Sequence, residues 1–571
     1  MKKFLLLNLS IIFFLSFIKS ANAYSIDKPT NKFGIHLAQP HLEDLQKSQE
    51  LVNSTGGDWG YVTLVIQEND RDKNKWQEIF DKMRELHLIP IIRLATVPEG
   101  DKWQRPTVED ADSWAEFLNS LHWVVKDRYV VLFNEPNHAN EWGGGVDAVN
   151  FAEVAITFAK KLKEKNPDFF IMLAGLDASA PSSFPLFEDE AVFLKSVFNN
   201  ETTSNVAGAI EQWNNLLSGF ASHSYPNPDF AGSPNAFGRG SIRTFQWELE
   251  LLRSWGIKDL PVFITETGWR RGDESTIAEY FKTAFENVWL ADDRVRAVTP
   301  FVLDYQGEPF LNFSWKKYQD SDFYPQYYAV QSLPKVKGAP RQIEKGEIAF
   351  DFPKELVADS SFHFTVRLKN LGQAVWDKDF GYQLSVVDQD KKSFEYFFSD
   401  LKKIRPYEET EVDLYIKTNN LLGKGKGRIV LNKDGELLLD GGVWQYEIFP
   451  LPSLSFTTSL FPKLQSKGDD FELQVFNNKE EIVLKKKGVK VRGGKGEISE
   501  VQNIVLGSKY RVVILKPYYL PRQGFITFRK GVNELKFERM LPLDFKPDGK
   551  FEARDFLALI QNPKLFTLLF P

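Results

Sequence analysis

From Lys32 to about Leu333, short apolar runs alternate with longer amphipathic stretches. The runs occupy residues 33–37, 59–66, 88–94, 129–133, 169–174, 220–223, 262–265 and 297–303. Each is β-branched or aromatic and is followed by a polar or Pro/Gly-containing loop, the texture of strands buried on both faces in a parallel sheet. Between them the spacing predicts helices such as 75–86, 108–124, 146–165, 241–255 and 275–291. Asp147 and Glu274 are expected in first turns, where the helix macrodipole favours acids. Eight strands with intervening helices over roughly 300 residues is the arithmetic of a (β/α)8 barrel.

Beyond Pro334 the helical spacing stops and alternation with period two begins, at Phe362, Phe364, Val366 and Leu368, then at Val412, Leu414 and Ile416. Asp434-Gly435 marks a turn, and Pro450-Leu451-Pro452 reads as a linker into a second alternating block. The last stretch, 541–571, carries a helical pattern over 553–561. The expected fold class is α/β: a (β/α)8 TIM barrel (24–335), two all-β sandwich-like domains (340–450 and 453–540) and a short helical tail (541–571).

A length of 571 residues requires several cores. The formal net charge of −6 argues against nucleic acid or an anionic membrane as the main partner. Cysteine is absent, which excludes disulfides, thiolate nucleophiles and zinc–thiolate sites. The seven histidines show no His-Glu-x-x-His or other ligand spacing, so neither a metal nor a cofactor is expected. At the N-terminus, Lys2 and Lys3 precede an apolar run, and Ala21-Asn22-Ala23 supplies a small-x-small cleavage pattern. This predicts a signal peptide over 1–23, a mature chain from Tyr24 without membrane insertion, and a secreted, periplasmic or cell-surface location.

Chemistry concentrates at two strand ends. Tyr129–Leu132 leads into Phe133-Asn134-Glu135-Pro136-Asn137, an apolar strand delivering Glu135 to its carboxyl end. Pro261-Val-Phe-Ile-Thr-Glu266-Thr-Gly268-Trp269 does the same for Glu266. By count these are strands four and seven, whose carboxyl ends face each other across a barrel mouth. Cleavage of a glycosidic bond needs such a pair, one carboxyl to protonate the leaving oxygen and one to attack or stabilise the anomeric carbon. Arg93, closing the third strand, is placed to hold Glu266 ionised by charge pairing. His223 and Tyr225 close the sixth strand and His36 the first. Trp142, Trp269, Tyr305 and Trp103, all in loops, are candidates for stacking on sugar rings.

The Asn134-Glu135-Pro136 and Thr265-Glu266-Thr267-Gly268-Trp269 motifs resemble those of glycoside hydrolase clan A, over roughly residues 32–333. The first is similar to families 39 and 5, the second to family 17. The resemblance implies a retaining enzyme in which Glu266 is the nucleophile and Glu135 the general acid/base. It also implies that Asn134 bonds the sugar 2-hydroxyl, Tyr225 bonds the nucleophile and His223 lines the sugar subsite. Many clan members carry a strand-eight Trp, where this chain offers Asp304 and Tyr305. Retention further implies carboxyl groups roughly 5–5.5 Å apart.

Asn370-Leu-Gly372-Gln-Ala-Val-Trp376 resembles a signature of Ig-like modules that accompany secreted enzymes, with Trp376 as a core residue. The second block resembles carboxypeptidase-regulatory-like sandwiches through Tyr510–Lys516 and Tyr518-Tyr519-Leu520-Pro521. The tail resembles a dockerin or EF-hand loop, with Asp544, Asp548 and Asp555 at ligand positions and Gly549 at the turn. Lys546 occupies a ligand position, so the loop reads as a degenerate remnant; a working one would tether the chain to a cell-surface partner. Two rivals stand beside the enzyme reading: a non-catalytic carbohydrate-binding protein on the same barrel, and a cell-surface scaffold acting through the β-modules.

Overall fold

The computed structural model describes residues 29–199, 206–388, 393–462 and 467–569. The expected leader, 1–23, and the start at Tyr24 lie outside the described residues. The fold is mixed α/β, and the chain divides into two compact units between Gln342 and Ile343.

Among its described residues the first unit carries eight parallel strands: β1 (Gly34–Leu37), β2 (Gly60–Gln67), β3 (Leu88–Ala95), β4 (Arg128–Leu132), β5 (Phe169–Leu173), β6 (Phe220–His223), β7 (Val262–Glu266) and β8 (Val295–Val298). They form a five-stranded sheet, β1 to β5 in sequence order, and a three-stranded sheet, β6 to β8. The edges of the two sheets are bridged at both sides. Phe33 pairs with Val298, and His36 N–H donates to the Pro300 carbonyl (3.0 Å). Opposite, Ser218 N–H donates to Ile171 (3.0 Å) and Asp177 pairs with His223. The last apolar run, expected at 297–303, forms a ladder strand only over Val295–Val298. Pro300 has no N–H to contribute beyond it.

The strands read as unbroken apolar runs because both faces are covered. Helices α1 (Leu42–Val52), α2 (Lys73–Glu85), α3 (Asp110–Ser120), α4 (Ala148–Lys165), α5 (Glu190–Phe198), α6 (Val206–Leu216), α7 (Thr244–Ser254), α8 (Glu274–Ala284) and α9 (Pro325–Ser332) accompany them. In α4, Phe151, Ala155, Phe158 and Leu162 recur at helical spacing and are fully or almost fully buried. Each such Phe or Leu stabilises the fold by about 2 kcal/mol. Asp147 sits one step before the first turn of α4 as its N-cap, accepting from Asn150 N–H (3.0 Å). Glu274 opens α8 as expected, with Asp273 as the cap. Between the strands, Tyr61, Tyr129, Phe170 and Phe263 from β2, β4, β5 and β7 meet ring to ring.

The second unit is all-β up to a helical tail. Its first part has two four-stranded sheets. Asn370 is fully buried; its amide donates to the carbonyls of Ala374 (2.8 Å) and Ile404 (3.1 Å) and accepts from Gly372 N–H (2.9 Å). Trp376 is fully buried against Gly346, where a Cβ would lie 2.2 Å from the indole. The following part differs from the expected sandwich. It is one seven-stranded sheet with register shifts along the pairing of Gly468–Phe476 with Ile482–Arg492. Such irregularities bend strands, and a single sheet can then curve around its own core. One continuous apolar cluster, from Phe352 to Met540, unites the two parts. In the tail, helix Ala553–Gln561 forms where its pattern predicted. The carboxylates of the EF-hand-like loop close the loop on itself: Asp544 accepts from Asp548 and Gly549 N–H (both 3.1 Å), and Asp555 from Lys546 (2.9 Å) and Glu552 (2.8 Å).

Candidate active site

The chain turns sharply at the carboxyl end of β4. Phe133 (φ 72°) and Glu135 (φ 31°) take left-handed conformations, unusual for residues with a Cβ. Glu135 N–H donates to the Gly175 carbonyl just past β5 (3.1 Å), which anchors the turn. A Cβ on Gly175 would lie 2.2 Å from the His223 ring, so only glycine lets that ring rest against this backbone. His223 is thereby set with Nδ1 2.7 Å from Glu135 Oε1 and 3.9 Å from Glu266 Oε2.

Glu266, the last residue of β7, is buried among donors. Arg93 Nη1 donates to its Oε1 (2.6 Å) and Tyr225 Oη to its Oε2 (3.0 Å). The same Arg93 nitrogen donates to Asn134 Oδ1, which fixes which way that amide faces. His36 Nε2 lies 3.7 Å from Glu266 Oε1. One oxygen of Glu135, one of Glu266 and one His223 nitrogen all lie within 4.8 Å of one another.

Burial alone would raise the Glu266 carboxyl, but His223, Arg93, His36 and the Tyr225 hydroxyl together hold it below the usual range. It is therefore ionised across the neutral range. Burial would lower the His223 imidazole, yet Glu266 and Glu135 raise it above its ordinary value. Burial, with Arg93 adding to it, depresses His36 to about 3 despite the nearby Glu266, so that ring is neutral. Burial and then Glu135 push Glu141 up to about 7. The cleft thus holds one fixed anion, one imidazole that keeps its proton more tightly than usual and a third carboxyl that titrates near neutrality.

The only cluster of metal-ligating type among the described residues is Glu135, His223 and Glu266. Its geometry suits proton exchange better than ion binding. The shortest contact is a His–carboxylate hydrogen bond, and both Glu266 oxygens already accept hydrogen bonds, Oε1 from Arg93 and Oε2 from Tyr225.

The structure brings together Glu135, Glu266, Asn134, Arg93, His223, Tyr225 and His36 of the residues singled out from sequence. Two of the expected sugar platforms are corrected. Trp142 is fully buried, edge-on to Phe133 and Phe151, with its N–H on Asn150 (3.2 Å). Trp269 is 3% exposed, packed on Tyr280 and Phe281 with its N–H on Gly232 (2.8 Å). Neither offers a ring face to the cleft. Trp103 borders the cavity of about 260 Å³ that holds both glutamates, and Tyr305 borders the adjoining one. Sequence reasoning missed His138, Glu141 and Asp177 on the cavity wall, where His138 Nε2 meets Asp177 Oδ2 at 2.9 Å. Asp177 carries the signal that singled out the two glutamates, a carboxylate just past a strand end. His138 and Glu141 carried none beyond following Glu135 in the same loop.

No protein-family model and no curated protein matches the sequence. Solved structures similar to this chain include a family 39 glycoside hydrolase from the gut symbiont Bacteroides cellulosilyticus WH2, at 14% identity over 69% of this chain and 82% of that one, with a TM-score of 0.38. A monomeric β-xylosidase from Caulobacter crescentus CB15 is 13% identical over 69% of this chain and 97% of its own, with a TM-score of 0.39. A β-mannanase from Thermomonospora fusca is 13% identical over 54% and 93%, with a TM-score of 0.35.

Proposed function

We propose that the chain is a secreted glycoside hydrolase that cleaves β-glycosidic bonds of an oligosaccharide or polysaccharide with retention of configuration. The first unit is read as a closed (β/α)8 barrel, supported by the bridges at both sheet edges and the aromatic layer drawn from β2, β4, β5 and β7. The second unit is read as accessory to it. Export by the leader, with cleavage near Ala23, rests on the sequence pattern.

The observation that carries the reading is the pairing of two unlike carboxyls within 4.8 Å at the ends of β4 and β7. Inverting enzymes need roughly 6.5–9.5 Å to admit a water between such groups, so the close spacing supports direct attack. Glu266, held anionic by hydrogen bonds from Arg93 and Tyr225 and by the nearby His223, attacks the anomeric carbon. The bond to the leaving oxygen breaks while Glu135 gives that oxygen its proton. Glu135, now a carboxylate, takes a proton from water, whose oxygen attacks the same carbon and releases Glu266 from the ester. Asn134, its amide oxygen engaged by Arg93 and one N–H by Glu141, keeps its other N–H for the sugar.

Purified protein tested on aryl glycosides and neutral polysaccharides should turn over at least one of them, and Glu266→Ala should lower that rate by about four orders of magnitude. A Glu266→Ala protein that keeps its full function would make the chain a carbohydrate-binding protein instead. Losing polysaccharide binding only on deletion of 340–571 would favour the scaffold reading.

A further inference from the structure

A second cavity, of about 700 Å³, adjoins the one that holds the glutamates. The two share Arg93, Trp103, Phe301 and Phe310 as walls, so they form one continuous cleft. Their order along a substrate can be worked out. The second cavity contains neither glutamate, but it contains His36 and Arg93, the two groups that approach Glu266 Oε1. His138, Glu141 and Asp177, on the Glu135 side, line only the first. A leaving group departs past the acid that protonates it, here Glu135. The second cavity therefore lies on the opposite side of the scissile bond, where the sugars retained on the nucleophile extend.

We propose that this second cavity is the glycone arm of the cleft and binds two or more further units of a neutral oligosaccharide, so that cleavage falls within chains. The proposal rests on the glycosidase reading above. His36 is 1% exposed, and neither ring nitrogen has a hydrogen-bond partner within the chain. A buried polar group of this kind is costly unless a ligand satisfies it. Its neutral ring offers one donor and one acceptor, the pair that a hydroxyl group matches. The amides of Gln39, Gln67 and Asn69 add further donors and acceptors. Asp70 and Asp304 on the same wall are paired with Lys75 and Lys316, and Arg93 is already engaged by Glu266 and Asn134, so the described lining offers no free Lys or Arg to a uronate or sulfated sugar. The half-buried ring of Tyr305, braced edge-on by Phe310 at 5.4 Å, and the half-buried Trp103 supply apolar faces for sugar rings.

The test uses the full chain with neutral β-linked gluco-, manno- and xylo-oligosaccharides, disaccharides to hexasaccharides, beside the 4-nitrophenyl monoglycosides. Binding of each hexasaccharide to the Glu266→Ala protein is measured by calorimetry. We expect kcat/KM to rise about a hundredfold from disaccharide to the longest chains, with fragments of three or more sugars released from the non-reducing end of the hexasaccharides. Tyr305→Ala should lower kcat/KM on the hexasaccharide about tenfold more than on the monoglycoside. Release of single sugars at a rate independent of length would overturn the proposal while leaving the glycosidase reading intact. No turnover anywhere, with hexasaccharide binding that Tyr305→Ala weakens, would overturn the glycosidase reading and keep the cavity as a glycan site. Neither turnover nor binding would overturn both.

Discussion

In the all-β unit, buried polar side chains tie down backbone. Asn370 bonds two carbonyls and an N–H, Thr418 donates to Val357 or Ser360, and Asn533 both donates to and accepts from Arg529. At the strand ends of the parallel unit, buried polar side chains bond one another instead. Arg93, Asn134, Glu266, Tyr225, His223 and Glu135 form one chain of contacts, and His36 beside it is left without a partner. Polar groups spent on backbone stabilise a fold. Groups spent on each other, with capacity to spare, leave donors and acceptors that a bound molecule could complete.

That contrast can be broken by mutation. Trp142→Ala removes a fully buried indole from the core beneath β4, and should cost about 3–5 kcal/mol in thermal or denaturant unfolding. A Trp142→Ala protein of native stability that has lost substrate affinity would restore the sugar-platform role. Arg93→Met should lower kcat/KM about a hundredfold, or about 2.7 kcal/mol. Because Arg93 helps to hold the Glu266 carboxyl down, its loss raises that carboxyl, and the acidic limb of the pH–rate profile should move to higher pH. An unmoved limb would show that Arg93 does not set the charge of Glu266.

Asn370→Ala strands two buried carbonyls and one N–H, and should lower stability by about 1–3 kcal/mol while leaving kcat at temperatures below the transition unchanged. A change in kcat would mean that the all-β unit contributes to the reaction. The smallest effect belongs to His138, half-exposed against Asp177. Burial opposes its charge, but Asp177 and Glu135 raise the imidazole above its ordinary value. A raised histidine stabilises the fold below its unfolded value near 6.5, and that contribution fades as pH rises through the folded value. His138→Gln should therefore lower the unfolding free energy more at pH 5.5 than at pH 8.5, by less than about 1 kcal/mol given its exposure, a difference read by denaturant unfolding at the two pH values.

The two halves of the chain were also unequally legible. The eight strands could be placed because parallel strands covered on both faces leave uninterrupted apolar runs. The closeness of the two glutamates could be anticipated because both end parallel strands on the same side of the sheet. The orientation of loop aromatics could not: Trp142 and Trp269 sit beside the glutamates in sequence, yet tertiary packing turned both inward. Glu141 was invisible because its raised carboxyl depends first on burial, which tertiary packing sets, and only then on Glu135 in the same loop. In the all-β unit, alternation located strands but not their grouping. Whether a run of strands makes two sheets or one curved sheet depends on long-range pairing, such as Ser453–Thr457 with Val532–Lys536.

The central claim is that Glu266 forms a covalent bond to the sugar. The direct test treats the protein with the 2-deoxy-2-fluoro activated glycoside matching its preferred aryl substrate, digests it and sequences the labelled peptide by mass spectrometry. The account predicts one glycosyl residue esterified to Glu266 in wild-type protein and none in Glu266→Ala. A label on another residue, or turnover whose first product has the opposite anomeric configuration to the substrate, would contradict it.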